Sequence, residues 1–266
     1  MKFSIASALL VSSLAVAAPL TEERRTAREA RASARYLSSP PIAAGTSDEK
    51  LLLKGRDSQD EYTGIWAGAV LSGTGYTSVT GTFTVPTPKA PSGGNSSTQY
   101  CATAWVGLDG NNTCSTALLH TGVIFCVQGD DVSFNAFYEW LPNYADFFND
   151  FWIAAGHVIK ATVTAYSTTS GMAMIENLST GQSVNHTFTA AQTPASLCGY
   201  NAEWIVEDFS NDFANFGTVN FTNATATDNS ATVDTTGAQI CDIYQNTVLT
   251  STSASGSSVT VSYVDN

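Results

Sequence analysis

Beyond Arg56 the chain has no arginine and only two lysines, Lys89 and Lys160, against 18 aspartates and glutamates. Residues 57–266 therefore carry a net charge of −16. So few cations cannot neutralise a phosphate backbone, which excludes nucleic acid as a partner. Long apolar runs are also missing. None reaches the roughly 18 residues that a bilayer-spanning helix needs, so no membrane partner is expected. The signatures of the common hydrolases are absent too. There is no G-x-S-x-G elbow, no H-E-x-x-H helix, no D-T-G turn and no glycine-rich phosphate loop. No C-x-x-C pair and no His/Cys cluster at ligand spacing occurs, which excludes a structural zinc site.

What is present begins with MKFSIASALLVSSLAVAAPL. One lysine, a short apolar run and small residues before Pro19 mark residues 1–18 as a secretory signal peptide. Residues 19–56 follow with eight basic and five acidic groups. They are Ala-rich and end on LLLKGR, which reads as a basic propeptide with a processing site near Arg56. A basic segment ahead of an acidic domain predicts electrostatic docking between the two that weakens as carboxylates take up protons. The mature part is then 57–266. Its like charges repel near pH 7 and fade at about pH 3–4, which suits a monomer in an acidic extracellular medium.

From Tyr62 onward, short runs rich in Val, Thr, Phe, Tyr and Trp alternate with Gly, Asn and Ser turns. SVTGTFTVP, TAWVGLDG, TALLHTGVIFCV, SFNAFYEWLP and VIKATVTAYS are examples. This pattern predicts an all-β domain, built as an antiparallel sandwich of two sheets, with no long helix. TPKAPSGGNSST, 87–98, reads as an exposed loop open to nicking. Five cysteines, Cys101, Cys114, Cys126, Cys198 and Cys241, leave one that is free, buried or paired with another molecule in an oxidising compartment. Sequons at Asn95, Asn111, Asn177, Asn185, Asn220 and Asn223 are possible glycan acceptors.

The chemistry-bearing residues are carboxylates. In NAEWIVEDF, strand alternation puts Glu203, Ile205, Glu207 and Phe209 on one face. A carboxylate among apolar neighbours is costly to bury unless paired or protonated, and that setting raises its pKa into a range useful for general acid and base work. Glu139 in AFYEWLP shares a face with Phe137 and Leu141. Asp109 stands at the turn after the strand bearing Trp105. His157 and His186 lie near turns and are expected at solvated positions.

Read together, TAWVGLDG…CSTALLHTG, FYEWLP and NAEWIVEDF resemble the glutamic peptidases, or eqolisins, which are secreted acid proteases of fungi. The similarity runs from about Trp66 to Val264. It implies a sandwich of two curved sheets, of the concanavalin A-like or jelly-roll type, with the active site on a concave face and no metal or organic cofactor. It implies a secreted acid endopeptidase acting on polypeptides. The family's catalytic glutamate falls on Glu207, and its catalytic glutamine falls on the fourth residue of ALL-x-TG, here His120. Trp66, Trp105, Asp109 and Glu139 match site-lining, substrate-binding positions. Cys114 and Cys198 match a family disulfide, with the pairing among Cys101, Cys126 and Cys241 left open.

The resemblance also implies the reaction. The glutamate takes a proton from the attacking water, the carboxamide donates N–H to the oxyanion, and the glutamate then protonates the leaving nitrogen. A carboxamide offers donor and acceptor together at any pH, whereas an imidazole does so only when neutral. With its reference pKa of about 6.5, an accessible His120 at pH 3–4 is expected to be a cation with no acceptor. Two readings follow: an acid peptidase with a Glu207/His120 dyad, or an impaired family member whose sandwich binds peptides or glycans without cleaving them.

Overall fold

The structure is a computed structural model that describes residues 60–265 except 112, 113, 211 and 230. The expected signal peptide and propeptide lie outside the described residues. Sixteen strands form, and the described residues contain no helix. In chain order they are β1 (Asp60–Thr63), β2 (Trp66–Ser72), β3 (Tyr76–Thr84), β4 (Tyr100–Asp109), β5 (Leu118–Gln128), β6 (Asp131–Trp140), β7 (Asp146–Phe147) and β8 (Val158–Ser167). The second half supplies β9 (Ser170–Asn177), β10 (Gln182–Phe188), β11 (Asn201–Glu207), β12 (Thr218–Asp228), β13 (Ala231–Val233), β14 (Gln239–Ile243), β15 (Thr250–Ser255) and β16 (Ser258–Tyr263).

They make two sheets, as the sequence pattern predicts. The first runs β1-β14-β2-β11-β4-β5-β6-β7 and the second β10-β9-β8-β3-β12-β16-β15, with β13 paired to β12. Every pairing is antiparallel except that of β1 with β14. Strands β8 and β9 alternate between buried and half-buried residues, the signature of a sheet with one face on the core. Val79, Phe83, Phe125, Trp140, Trp204 and Phe221 fill the space between the sheets. Strands β4 and β11 are buried on both faces over most or all of their length. A second apolar cluster of Trp66, Val70, Trp105, Leu118, Ile124, Phe137 and Ile205 explains this. It lies on the face of the first sheet that points away from the second.

That outer face carries the expected site, and strand register arranges it in rows. Glu203, Gly107, His120 and Glu139 stand side by side across β11, β4, β5 and β6. The next row is Ile205, Trp105, Gly122 and Phe137, and the next is Glu207, Thr103, Ile124 and Asn135. Trp66 of β2 flanks Glu207 on its other side.

Cys101 and Cys126 are register partners on β4 and β5 and form one disulfide, while Cys114–Cys198 forms the other. Cys241 is buried and belongs to neither. The loop 87–98 is exposed around Asn95, but its Lys89 is tied to Asn215 by two backbone hydrogen bonds of 2.8 and 2.9 Å. His157 and His186 depart from the expected solvated positions, and both are half-buried. His157 Nδ1 meets Asn177 Nδ2 at 2.9 Å, and His186 stacks on Tyr138 with ring centroids 4.1 Å apart. Cross-strand neighbours that local sequence does not reveal hold these rings.

Gly122 is a point of close approach in the site rows. A Cβ there would stand 2.1 Å from the Ala104 carbonyl oxygen and 2.6 Å from Trp105 Cβ. Only hydrogen lets β4 and β5 close under Trp105. Gly122→Ala is therefore expected to destabilise the domain by about 2 kcal/mol or more, read from urea unfolding at pH 4. An unchanged unfolding midpoint would contradict this packing.

Candidate active site

Glu207 ends β11 beside two tryptophans. Trp105 donates its indole N–H to Glu207 Oε2 at 2.8 Å, fixing that carboxyl. Trp66 packs edge-on against Trp105 with centroids 5.0 Å apart. The imidazole of His120 lies on the other flank of Trp105, 4.9 Å between ring centroids, and touches Phe137 at 5.2 Å. Its Nε2 stands 3.2 Å from Glu139 Oε2, close enough for an ion pair but out of line for a hydrogen bond. Trp105 is thus the shared wall between carboxyl and imidazole. Glu207, His120, Trp105, Trp66 and Glu139, all expected from sequence, come together, each at most 1% exposed.

Asp109 has another task. It closes β4 with a positive φ of 65°. Its two carboxylate oxygens accept four backbone N–H bonds, from Cys198 and Gly199 on one and from Tyr200 and Asn201 on the other, at 2.7–3.2 Å. This anchors the segment that enters β11, so Asp109 sets where Glu203 and Glu207 begin. The sulfurs of Cys114 and Cys198 lie near it, but they are spent in a disulfide, so this grouping is no metal site.

Burial dominates the electrostatics. It pushes Glu207 up to about 7, against the pull of the His120 charge and the Trp105 hydrogen bond. Trp66 also turns its indole N–H toward this carboxyl and helps hold the pKa down, without the alignment of a full hydrogen bond. The same desolvation pushes His120 down to about 4, although Glu207 works to raise it. The cation expected at pH 3–4 therefore gives way to the neutral ring above about pH 4, well below the reference value of about 6.5. A fully buried imidazole is neutral above about pH 4 and keeps one donor and one acceptor, the equipment of a carboxamide. Glu139 is held well above the ordinary carboxylate range by burial.

Glu203 was legible as a face-mate of Glu207, but its setting was not. It is fully buried, and neither oxygen has a hydrogen-bond partner. Burial raises its pKa strongly, with Asp109 and Glu207 adding repulsion. The face therefore holds three carboxyls that favour the neutral form and one imidazole that does likewise.

The Peptidase A4 family profile matches residues 64–263. The chain belongs to this family of peptidases. Aspergillopepsin-2 of Aspergillus niger is 50% identical over an alignment of 285 residues that takes in 99% of this chain and all of the relative. Scytalidopepsin B of Scytalidium lignicola is 38% identical over 283 residues, again 99% of this chain and all of the relative. The crystal structure of scytalido-glutamic peptidase with a peptide-based transition state analog superimposes with a TM-score of 0.67 at 40% identity, covering 76% of this chain and 98% of that one. These relatives are glutamic peptidases, and this A4 member shares their β-sandwich.

The shifted groups make stability depend on pH. A raised carboxyl contributes stability that is complete below about pH 4.5 and lost as pH rises through its folded pKa, about 7 for Glu207. His120 acts in the opposite direction, its contribution being present above about 6.5 and lost as pH falls through about 4. Three carboxyls outweigh one imidazole, so Tm is expected to fall between pH 5 and 8. Glu203→Gln keeps the shape and removes one ionisation, and should flatten that fall. A thermal melt series with equal slopes in parent and variant would refute the assignment.

Proposed function

We propose that this protein is a secreted acid endopeptidase that hydrolyses polypeptides with Glu207 and His120 as its dyad. The observation that carries the reading is Trp105, bonded to the Glu207 carboxyl on one flank and packed against the His120 ring on the other. Two groups held to one rigid indole keep their separation through the reaction, which is what acid–base catalysis needs.

Between about pH 4 and 7 the two groups share one proton. The neutral pair predominates, with the proton on Glu207. Its minor form, with the proton on His120, holds a carboxylate base beside an N–H donor. In that form Glu207 takes a proton from water as the water oxygen bonds to the peptide carbonyl carbon. The developing oxyanion accepts a hydrogen bond from the imidazolium, a charge-assisted contact stronger than a carboxamide makes. Collapse of the adduct reforms the carbonyl and breaks the C–N bond, while Glu207 passes its proton to the leaving nitrogen. Glu139, beside His120 Nε2, limits how that ring can turn.

The reading includes a signal peptide over 1–18, a basic propeptide over 19–56 and release of the mature domain in acid. Secretion exposes the sequons to glycosylation, and burial sorts them. Asn177 is fully buried with its amide bonded to Trp152 O, and Asn111 is buried as well. Asn95, Asn185, Asn220 and Asn223 are exposed. Peptide mass spectrometry of protein secreted by a yeast host is expected to find glycans only within the second group. A glycan on Asn177 would mean that this strand end is misplaced.

The test of catalysis is cleavage of a denatured protein substrate from pH 2 to 7. A bell-shaped kcat/KM with limbs near 4 and 7 is expected. Glu207→Gln should lower it by about 10³-fold or more. His120→Gln should remove the limb near 4 and leave the single ionisation of Glu207, so that kcat/KM falls steadily as pH drops below about 7 instead of holding a plateau down to 4. An inactive parent that His120→Gln awakens would establish the other reading, a disabled dyad on a face that binds without cutting.

A further inference from the structure

The two sheets end side by side along one flank of the sandwich. β7 closes the first sheet there and β10 closes the second. Between them the inter-sheet core opens to the surface as a cleft of about 320 Å³. Rings of Tyr138, Trp140, Tyr144, His186 and Phe188 line it, joined by Asn143, Asp146 and Gln192. Tyr138 and Trp140 point to the opposite face of β6 from Phe137 and Glu139. The cleft is therefore separate from the dyad, with the sheet between them.

Its chemistry selects a ligand. Tyr144 is 57% exposed, so its ring is open to a ligand in the cleft. Asn143 donates to Gln192 O at 2.7 Å, which leaves its own amide oxygen directed elsewhere. Gln192 Oε1 accepts from the backbone and hydroxyl of Thr189, so its NH₂ is the end left for a ligand. His186 makes ring contacts with Tyr138 and Phe188. Anions are disfavoured by Asp146 and by the acidic domain around it. Cations meet an Asp146 already engaged, with Oδ2 accepting from Tyr138 and Oδ1 from the Phe147 amide, and an imidazole that gains positive charge in acid. A purely apolar ligand would strip water from two amides and an imidazole without replacing it. A neutral ring with C–H faces for the aromatics and hydroxyls for the amides satisfies all of these groups. The volume is at the lower end for a small-ligand site and suits one or two sugar rings.

The geometry points to an accessory carbohydrate site in this edge cleft, taking a neutral pyranose ring, on the far side of the sheet from the dyad. It would hold the protein to glycan chains independently of peptide cleavage. Saturation-transfer NMR at pH 5 tests it on the full-length Glu207→Gln chain, which prevents self-digestion. The probes are methyl α-D-mannopyranoside, methyl β-D-glucopyranoside and N-acetylglucosamine. Transfer to the ring protons of at least one is expected, with Kd on the order of 1 mM for so small a ligand. Tyr144→Ala and Gln192→Ala alter exposed side chains and should leave Tm unchanged while each weakens binding at least fivefold. Binding by none of the three sugars overturns the proposal. So does binding that both variants retain, or capture of N-acetyl-tyrosine amide or trimethyl-lysine in place of the sugars.

Discussion

Four ionisable side chains on one face of one sheet, almost wholly withdrawn from water, set the terms for the rest of this molecule. Glu203, Glu207, Glu139 and His120 are each at most 1% exposed, and three of them have no hydrogen-bond partner. Charging any of them costs desolvation free energy that nothing nearby fully offsets. The proton inventory of this face is therefore decided by burial first and by neighbours second. Glu207 is the exception that proves useful, because Trp105 gives its carboxyl a fixed donor and so holds its pKa to a value that can still be crossed.

The fold makes that burial possible by giving the first sheet two cores. One face packs on the second sheet, as in any sandwich. The other carries its own aromatic cluster around Trp66, Trp105 and Phe137. Glycines at 107 and 122 keep the strands close beneath these rings, since a methyl group at either would collide with Trp105. Asp109 fixes the start of β11 by holding four amides at once. Glu207 is thus placed, through the backbone, by a buried carboxylate elsewhere on the sheet.

In the proposed dyad, the histidine at position 120 changes what happens to the proton. A carboxamide holds no titratable proton, so the glutamate alone would set the pH dependence. With His120, two groups pushed in opposite directions by the same desolvation share a proton over a window about three units wide. Under the proposed mechanism both limbs of activity belong to the pair. The excess of acidic groups, 18 Asp and Glu against two lysines in residues 57–266, is compatible with work at the lower end of that window.

Much of this was legible in the sequence, and the division follows from range. Alternation is local, so NAEWIVEDF by itself puts Glu203 and Glu207 on one face, and AFYEWLP does the same for Phe137 and Glu139. Turn residues and β-rich runs are local too, and they determine an all-β sandwich. The run of motifs around His120 is what singles that position out for the proposed dyad. Three things depended on which distant strands pair and in what register. The charge of His120 follows from full burial between Trp105, Phe137 and Glu139, which lie up to 34 residues apart in numbering. The partner of Cys101 follows from the pairing of β4 with β5. The role of Asp109 and the edge cleft follow from contacts across about 90 and 50 residues of chain. The sequence by itself determined the fold class, the excess of acidic groups and which chemistry-bearing residues share a strand face, because those are properties of composition and short-range pattern. Only the tertiary structure decided their protonation, because desolvation is imposed by neighbours that the chain brings together when it folds.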